Sequence, residues 1–218
     1  MQPRFDWGLY ADATFAGLAI LIPIPGVDWL FEFWFRRRIP KGIAARHGLK
    51  LRPTARRLLA SGPMTLGGCL LLPLRVPIWF LMRTYRTIFY VLTIKGATDN
   101  LSYYWHRAFL VDRAITAGHV GGTIAELRLS ARAIEQTLEE SRTSPMVQLA
   151  ADVVADVRHV LRTAWRFLRR KREDDVTAQA RNRMAKRWAE FADDLERAGE
   201  RYDRYYRDLS AAAASSSA

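Results

Sequence analysis

The sequence predicts an all-α fold: apolar N-terminal helical hairpins, re-entrant or interfacial, followed by an antiparallel three-helix bundle or coiled-coil-like unit. Two observations carry the prediction. In the back half, apolar residues recur at alternating spacings of three and four, the period of a helix with one buried face. In the front half, long apolar stretches are cut by prolines and glycines into pieces that suit short helices and tight turns. With 218 residues, 50% of them hydrophobic and 26% charged, the chain can bury a core and does not have a disordered composition.

The first apolar stretch, Ala13 to Phe35, is interrupted by Pro23, Pro25 and Gly26. We read two arms, Ala13 to Ile22 and Val27 to Arg38, joined by a turn. Each is about 15 Å long, half the hydrocarbon thickness of a bilayer, so neither spans alone. Arg36, Arg37 and Arg38 cap the second arm, with Lys41 and Arg46 close behind. The second stretch, Met64 to Met82 and then Thr87 to Ile94, holds Pro73, Arg75 and Pro77 near its middle and has basic residues on both flanks. A single crossing would strand one basic flank on the wrong side, whereas an interfacial or re-entrant segment has no such conflict. Lys95 to Asn100 reads as a loop, with Asp99 or Asn100 capping a helix over Leu101 to Ala117. Gly118, Gly121 and Gly122 break that pattern and set a module boundary at residue 122.

Residues 123–209 read as three amphipathic helices. The first carries Ile124, Leu127, Ala131, Ile134 and Leu138. The second opens at Ser144-Pro145, a cap followed by proline in the first helical position, and carries Leu149, Val153, Val157, Val160, Ala164 and Phe167. The third, from Val176, shows a heptad-like seam through Met184, Trp188, Phe191, Leu195, Ala198, Tyr202, Tyr205 and Leu209. The Ala/Ser tail, 210–218, is expected to be disordered.

Charge is uneven. The formal net charge is +12, and residues 1–122 hold sixteen Lys/Arg against six Asp/Glu, so nearly all of the excess shares a half with the most apolar sequence. Basic groups beside apolar surface suit an anionic bilayer face. The expected membrane contacts are Trp29, Phe31, Trp34, Phe35, Arg36, Arg37 and Arg38, with Trp79 and Phe80 in the second stretch, because indole rings favour the headgroup level and arginines hold phosphates. A buried core helix would also be apolar all round. Trp105 makes a weaker case of the same kind.

Asp28 and Glu32 lie one turn apart, with Arg36 one turn further. They read either as an acidic pair handling a proton or cation, or as a ladder in which Glu32 pairs with Arg36. His47, His106, His119 and His159 are scattered without metal spacing. Gly67-Gly68 and Gly121-Gly122 lack the rest of a nucleotide fingerprint. We assign no catalytic, cofactor or metal residue and expect no small-molecule substrate. Cys69 is the lone cysteine, which excludes a disulfide framework and suits a reducing compartment. Asp6 and Asp12 precede the first apolar run, where a secretory leader would have a plain basic start. Arg169, Arg170, Lys171 and Arg172 suit the negative end of a helix, or a lipid or nucleic-acid contact.

The string Pro23-Ile24-Pro25-Gly26-Val27-Asp28, followed by Ile43-Ala44-Ala45-Arg46-His47-Gly48, resembles the membrane-associated helical domains appended to bacterial GTPases and EcsC-like proteins. In that group an apolar helix, a Pro-x-Pro-Gly-apolar-Asp turn and a second helix recur. The likeness covers Ala13 to Gly48. The arginine- and aromatic-rich second arm departs from the pattern, as does the lack of a GTPase domain in these residues. The resemblance implies membrane association and carries over no activity.

These readings lead to a non-enzymatic protein anchored to anionic lipid on the cytoplasmic side, with its C-terminal helices free for a protein partner or self-association. A soluble helical interaction protein with a buried N-terminal half is the alternative. Nucleic-acid binding fits less well, since the excess charge is interleaved with apolar sequence.

Overall fold

Asp6 starts the first helix. Its carboxylate accepts from the Gly8 amide at 2.7 Å, and α1 runs from Trp7 to Leu18 before tightening into a 3₁₀ turn, Ala19–Leu21. This is a computed structural model that describes residues 5–22, 27–60, 86–141, 145–155, 182 and 184–215, and only the backbone of 86–93. Helix α1 therefore begins six residues before the expected Ala13, because the cap at Asp6 is followed at once by the apolar Trp7, Leu9 and Tyr10. Helix α2 spans Val27–Arg46 and runs eight residues past Arg38, through Pro40. Gly48, in the left-handed region at φ 68°, ends it: the Leu49 amide reaches back to Ala44 and the Gly48 amide to Ala45. Helix α3 follows, Pro53–Ala60.

Helices α1 and α2 form an antiparallel hairpin. Arg46 pairs with Asp6 at 2.7 Å, Arg38 with Asp12 at 3.1 Å, and Phe35 stacks on Phe15 at 4.7 Å. Against both lies α4, one 31-residue helix from Arg86 to Thr116. It passes straight through Lys95–Asn100, so the expected loop and its cap at Asp99 or Asn100 are corrected. Packing overrides the loop-like composition there: Ala97, Thr98 and Leu101 are buried, and a Cβ on Gly17 of α1 would lie 2.5 Å from the Leu101 Cα. Further along, the Trp105 indole donates to Thr14 at 3.0 Å. Residues 17, 14 and 10 thus meet 101, 105 and 112 in turn, and α1 runs antiparallel to α4.

Gly118, at φ 78°, terminates α4 with the same pair of backward amide bonds, to Ala114 and Ile115. A capping box between Thr123 and Glu126 then opens α5, Ile124–Glu140. The expected boundary at 122 falls in this turn, yet the helices on either side share one buried core. Trp188, from the C-terminal segment, packs on Phe5, Tyr10 and Trp105 with ring centroids 5.1, 4.4 and 5.3 Å away. Helix α6 covers Met146–Ala155. After a 3₁₀ turn, Ala189–Phe191, helix α7 covers Ala192–Ser215.

In the seam, Trp188, Leu195 and Tyr202 are buried, while Met184, Phe191 and Tyr205 pack against the core half-buried. On α5, Leu127, Ile134 and Leu138 are buried but Ile124 is exposed, the buried stripe including Ser130 and Thr137 instead. The tail is corrected as far as Ser215: α7 continues through Ala211–Ala214, since alanine is the strongest helix former. Among the described residues there is no strand, and the fold is all-helical. The second apolar stretch from Met64, the turn at 23–26, Ser144, the stripe from Val157 to Phe167, His159 and Arg169–Arg172 lie outside the described residues.

Candidate membrane-contacting face

Helix α2 separates the residues that the sequence groups together. Phe35, expected at the membrane, is fully buried: it stacks on Phe15, and Phe31 closes on the same pair with centroids 6.4 Å from Phe15 and 4.8 Å from Phe35. A buried ring cannot touch lipid, so Phe35 leaves the site and the half-buried Phe31 stands at its edge. Arg38 is committed to Asp12, with its guanidinium over the Trp34 ring at 4.6 Å. Arg36 is half-buried, its Nε enclosed without a hydrogen-bond partner. Trp79 and Phe80 lie outside the described residues.

What remains exposed is ordered along the axis. Leu30, Trp34, Arg37, Lys41 and Ala45, spaced by three or four residues, are all exposed and form one stripe. Leu30 is 59% and Trp34 52% exposed, values that set them apart from the enclosed rings behind them. Val27, Trp29 and, from the 3₁₀ turn, Ile20 add to the apolar end. The stripe then turns basic at Arg37, which lies over the Phe33 ring at 4.0 Å, and at Lys41. Leu30 and Arg37 are about 10 Å apart along the axis at 1.5 Å per residue. The apolar end is extended by α4: Gly96 faces Ile20, and because α1 and α4 are antiparallel, residues 86–95 continue beyond that level.

Sequence reasoning missed Ile20, Val27, Leu30 and Lys41 as members of this face. The signal was present in the 30–34–37–41 spacing, which separates an outer stripe from the inner one through Phe35, Ile39 and Ile43.

The other candidates resolve into helix contacts. Glu32 accepts from the Tyr104 hydroxyl at 2.5 Å, so its partner is across the α2–α4 interface and the expected Glu32–Arg36 pair does not form. Burial and the Glu32 carboxylate together push the Tyr104 hydroxyl well above the usual phenol range. His47 Nε2 meets Asp112 at 2.8 Å. His106 is buried, with Nδ1 on the Ser102 carbonyl at 2.9 Å. His119 stacks on Tyr206 at 3.6 Å, and its Nδ1 lies 2.9 Å from the Tyr202 hydroxyl, which also meets Ser130. Glu32 and His47 thus join α2 and the turn after it to α4, His119 joins the end of α4 to α7, and His106 is bonded within α4 itself. Among the described residues no three His, Cys, Asp or Glu side chains gather around a point where a metal ion could sit, and no helix is long and apolar enough to cross a membrane.

Comparison with family models, with curated proteins and with solved structures finds no match for this chain.

Proposed function

We propose that this protein attaches peripherally to the anionic cytoplasmic face of a membrane, without catalysing a reaction, through the outer face of α2. The observation that carries the reading is the order along that face: Trp29, Leu30 and Trp34 at the apolar end, then Arg37 and Lys41, with Leu30 and Arg37 about 10 Å apart. A shallow insertion reaches about 5–10 Å into the boundary between headgroups and acyl chains. Rings and leucine enter that boundary, and Arg37 and Lys41 on the same stripe reach the phosphates, where each contributes on the order of 1 kcal/mol. The backbone of α4 continues past the level of Ile20 toward its start at Arg86, and its sequence there is apolar. The resemblance of residues 13–48 to membrane-associated bacterial domains points the same way.

The test is flotation of the full chain with vesicles containing anionic lipid. Changing Trp29, Leu30 and Trp34 together to Ser should abolish co-flotation while circular dichroism still reports a helical fold; the contact of Trp34 with the buried Phe35 makes a modest loss of thermal midpoint the expected side effect. Wild-type protein that stays at the bottom of the gradient at low salt would end the reading.

A second reading, a helical interaction protein, draws on the enclosure of α1, whose residues are nearly all buried by the chain itself. It predicts a monodisperse particle without detergent and no vesicle binding. In either reading the seam of the C-terminal helices is already occupied by the shared core, so a protein partner or second copy would meet their outer faces.

A further inference from the structure

We propose that the corner between α2 and α3 is a second lipid-contacting site, selective for anionic headgroups, which lays α2 along the bilayer instead of standing it on its aromatic end. The inference rests on the membrane reading above. Lys41, Lys50, Arg52 and Arg57 are exposed, and Arg56 is half-buried. None of the five has a carboxylate partner among the described residues, although the chain pairs Arg38, Arg46, Arg107, Arg113, Arg187 and Arg197 with Asp or Glu. The cause lies in the sequence: between Glu32 and Asp99 there is no carboxylate at all. Gathering cations without a counter-charge raises the energy of the folded state through self-repulsion, and an external anionic surface removes that cost.

Two observations favour lipid over nucleic acid as the source of the anion. Leu49 is 48% exposed beside Lys50, an apolar foothold among cations of the kind that a bilayer surface accepts. Between Phe35 and Trp79 the chain has no Phe, Tyr or Trp, so the corner lacks the large aromatic platforms on which single-strand binders stack successive bases. The pose follows from screening. Helix α2 is about 30 Å long. If it stood on its aromatic end with Arg37 at the phosphates, the end of α2 nine residues on would hang about 14 Å above them, nearly two screening lengths, since one such length is about 8 Å at physiological salt. Lying flat, the stripe through Arg37, Lys41 and Ala45 joins the aromatic end to the corner along one side of the helix.

The experiment uses the full chain with neutral phosphatidylcholine vesicles and with vesicles that also contain phosphatidylserine. Changing Lys41, Lys50, Arg52 and Arg57 to Gln should weaken partitioning to the anionic vesicles by about fivefold for each cation removed and leave the weak binding to neutral vesicles intact. An environment-sensitive dye on Ala45→Cys, with Cys69→Ser, should shift on vesicle binding, because Ala45 faces the surface only in the flat pose. A quadruple variant that binds anionic vesicles like the wild type, or a silent dye at 45 while binding persists, overturns the inference and leaves the aromatic attachment standing. If instead the Trp29, Leu30 and Trp34 variant still binds anionic vesicles while the quadruple variant does not, the aromatic reading fails and the corner survives. Duplex DNA that competes the protein off anionic vesicles at physiological salt, through the same four cations, would make the corner a nucleic-acid site and overturn it.

Discussion

Arg107 is a guanidinium enclosed by the protein, and its partners explain why it stays charged. Its Nε and Nη2 donate to the Leu59 carbonyl at 3.2 and 2.8 Å, closing the C-terminal end of α3. Its Nη1 donates to the Tyr103 hydroxyl at 2.7 Å and to Glu135 at 2.9 Å. Burial opposes the charge, but Tyr103 and Glu135 more than offset it and hold the group above its ordinary pKa. One side chain thus ties α3, α4 and α5 together. Replacing it with methionine keeps the bulk and removes every donor, leaving the Leu59 carbonyl and the Tyr103 hydroxyl to lose their partner. Arg107→Met should lower stability by about 2–3 kcal/mol, read from the urea midpoint. Glu135→Gln should cost less, because that side chain is 35% exposed and water replaces part of what it gives up. A methionine variant as stable as the wild type would show that α3 is held by apolar packing alone.

Among the helices, α1 decides the architecture, and it does so by backbone proximity. Gly17 lets α1 approach α4 until a Cβ at 17 would overlap the Leu101 backbone at 2.5 and 2.9 Å, a contact that no rotamer change relieves. Gly17→Ala should therefore push the two helices apart and cost about 2 kcal/mol, measured by thermal or urea unfolding. An alanine there without effect would mean that the α1–α4 contact is looser than this geometry. The same contact shows why some elements were legible in the sequence and others were not. Helices with one apolar face, α5 and the seam of α7, declare themselves through spacing, because one partner surface suffices. Helix α4 is enclosed on several sides, so its buried positions follow no single stripe, and Gly96, Asp99 and Asn100 read as a loop. The site was half legible for a related reason. Composition points to the aromatic and basic residues of α2, but Phe35 and Arg38 resemble Trp34 and Arg37 until α1 supplies Phe15 and Asp12 to the inner side.

For the whole molecule, acid should act on the interior rather than on the lipid-facing end. His106 is buried within the bundle, and burial lowers its pKa below 6.5, the Ser102 carbonyl opposing that shift, Arg201 reinforcing it and Asp194 opposing it. Burial likewise lowers the pKa of His119, against the pull of Asp203. In both cases the unfolded chain takes up a proton at a higher pH than the folded chain does. Their contribution to stability is therefore complete above about pH 6.5, and it falls as the pH drops from there toward the depressed folded values, below which it changes no further. Asp12 has the opposite sign and a lower window. Burial raises its pKa above 3.8 against the pull of Arg38, so the folded state gains stability relative to the unfolded as acid protonates it. Urea midpoints should thus decline as the pH falls below about 6.5, and the double variant His106→Gln, His119→Gln should flatten that decline whatever its absolute stability. The slope is the readout, since either substitution could also disturb packing. A double variant with the wild-type slope would assign the acid sensitivity elsewhere. Because the aromatic end of α2 carries none of these histidines, vesicle binding by protein that is still folded should hold steady over the same window.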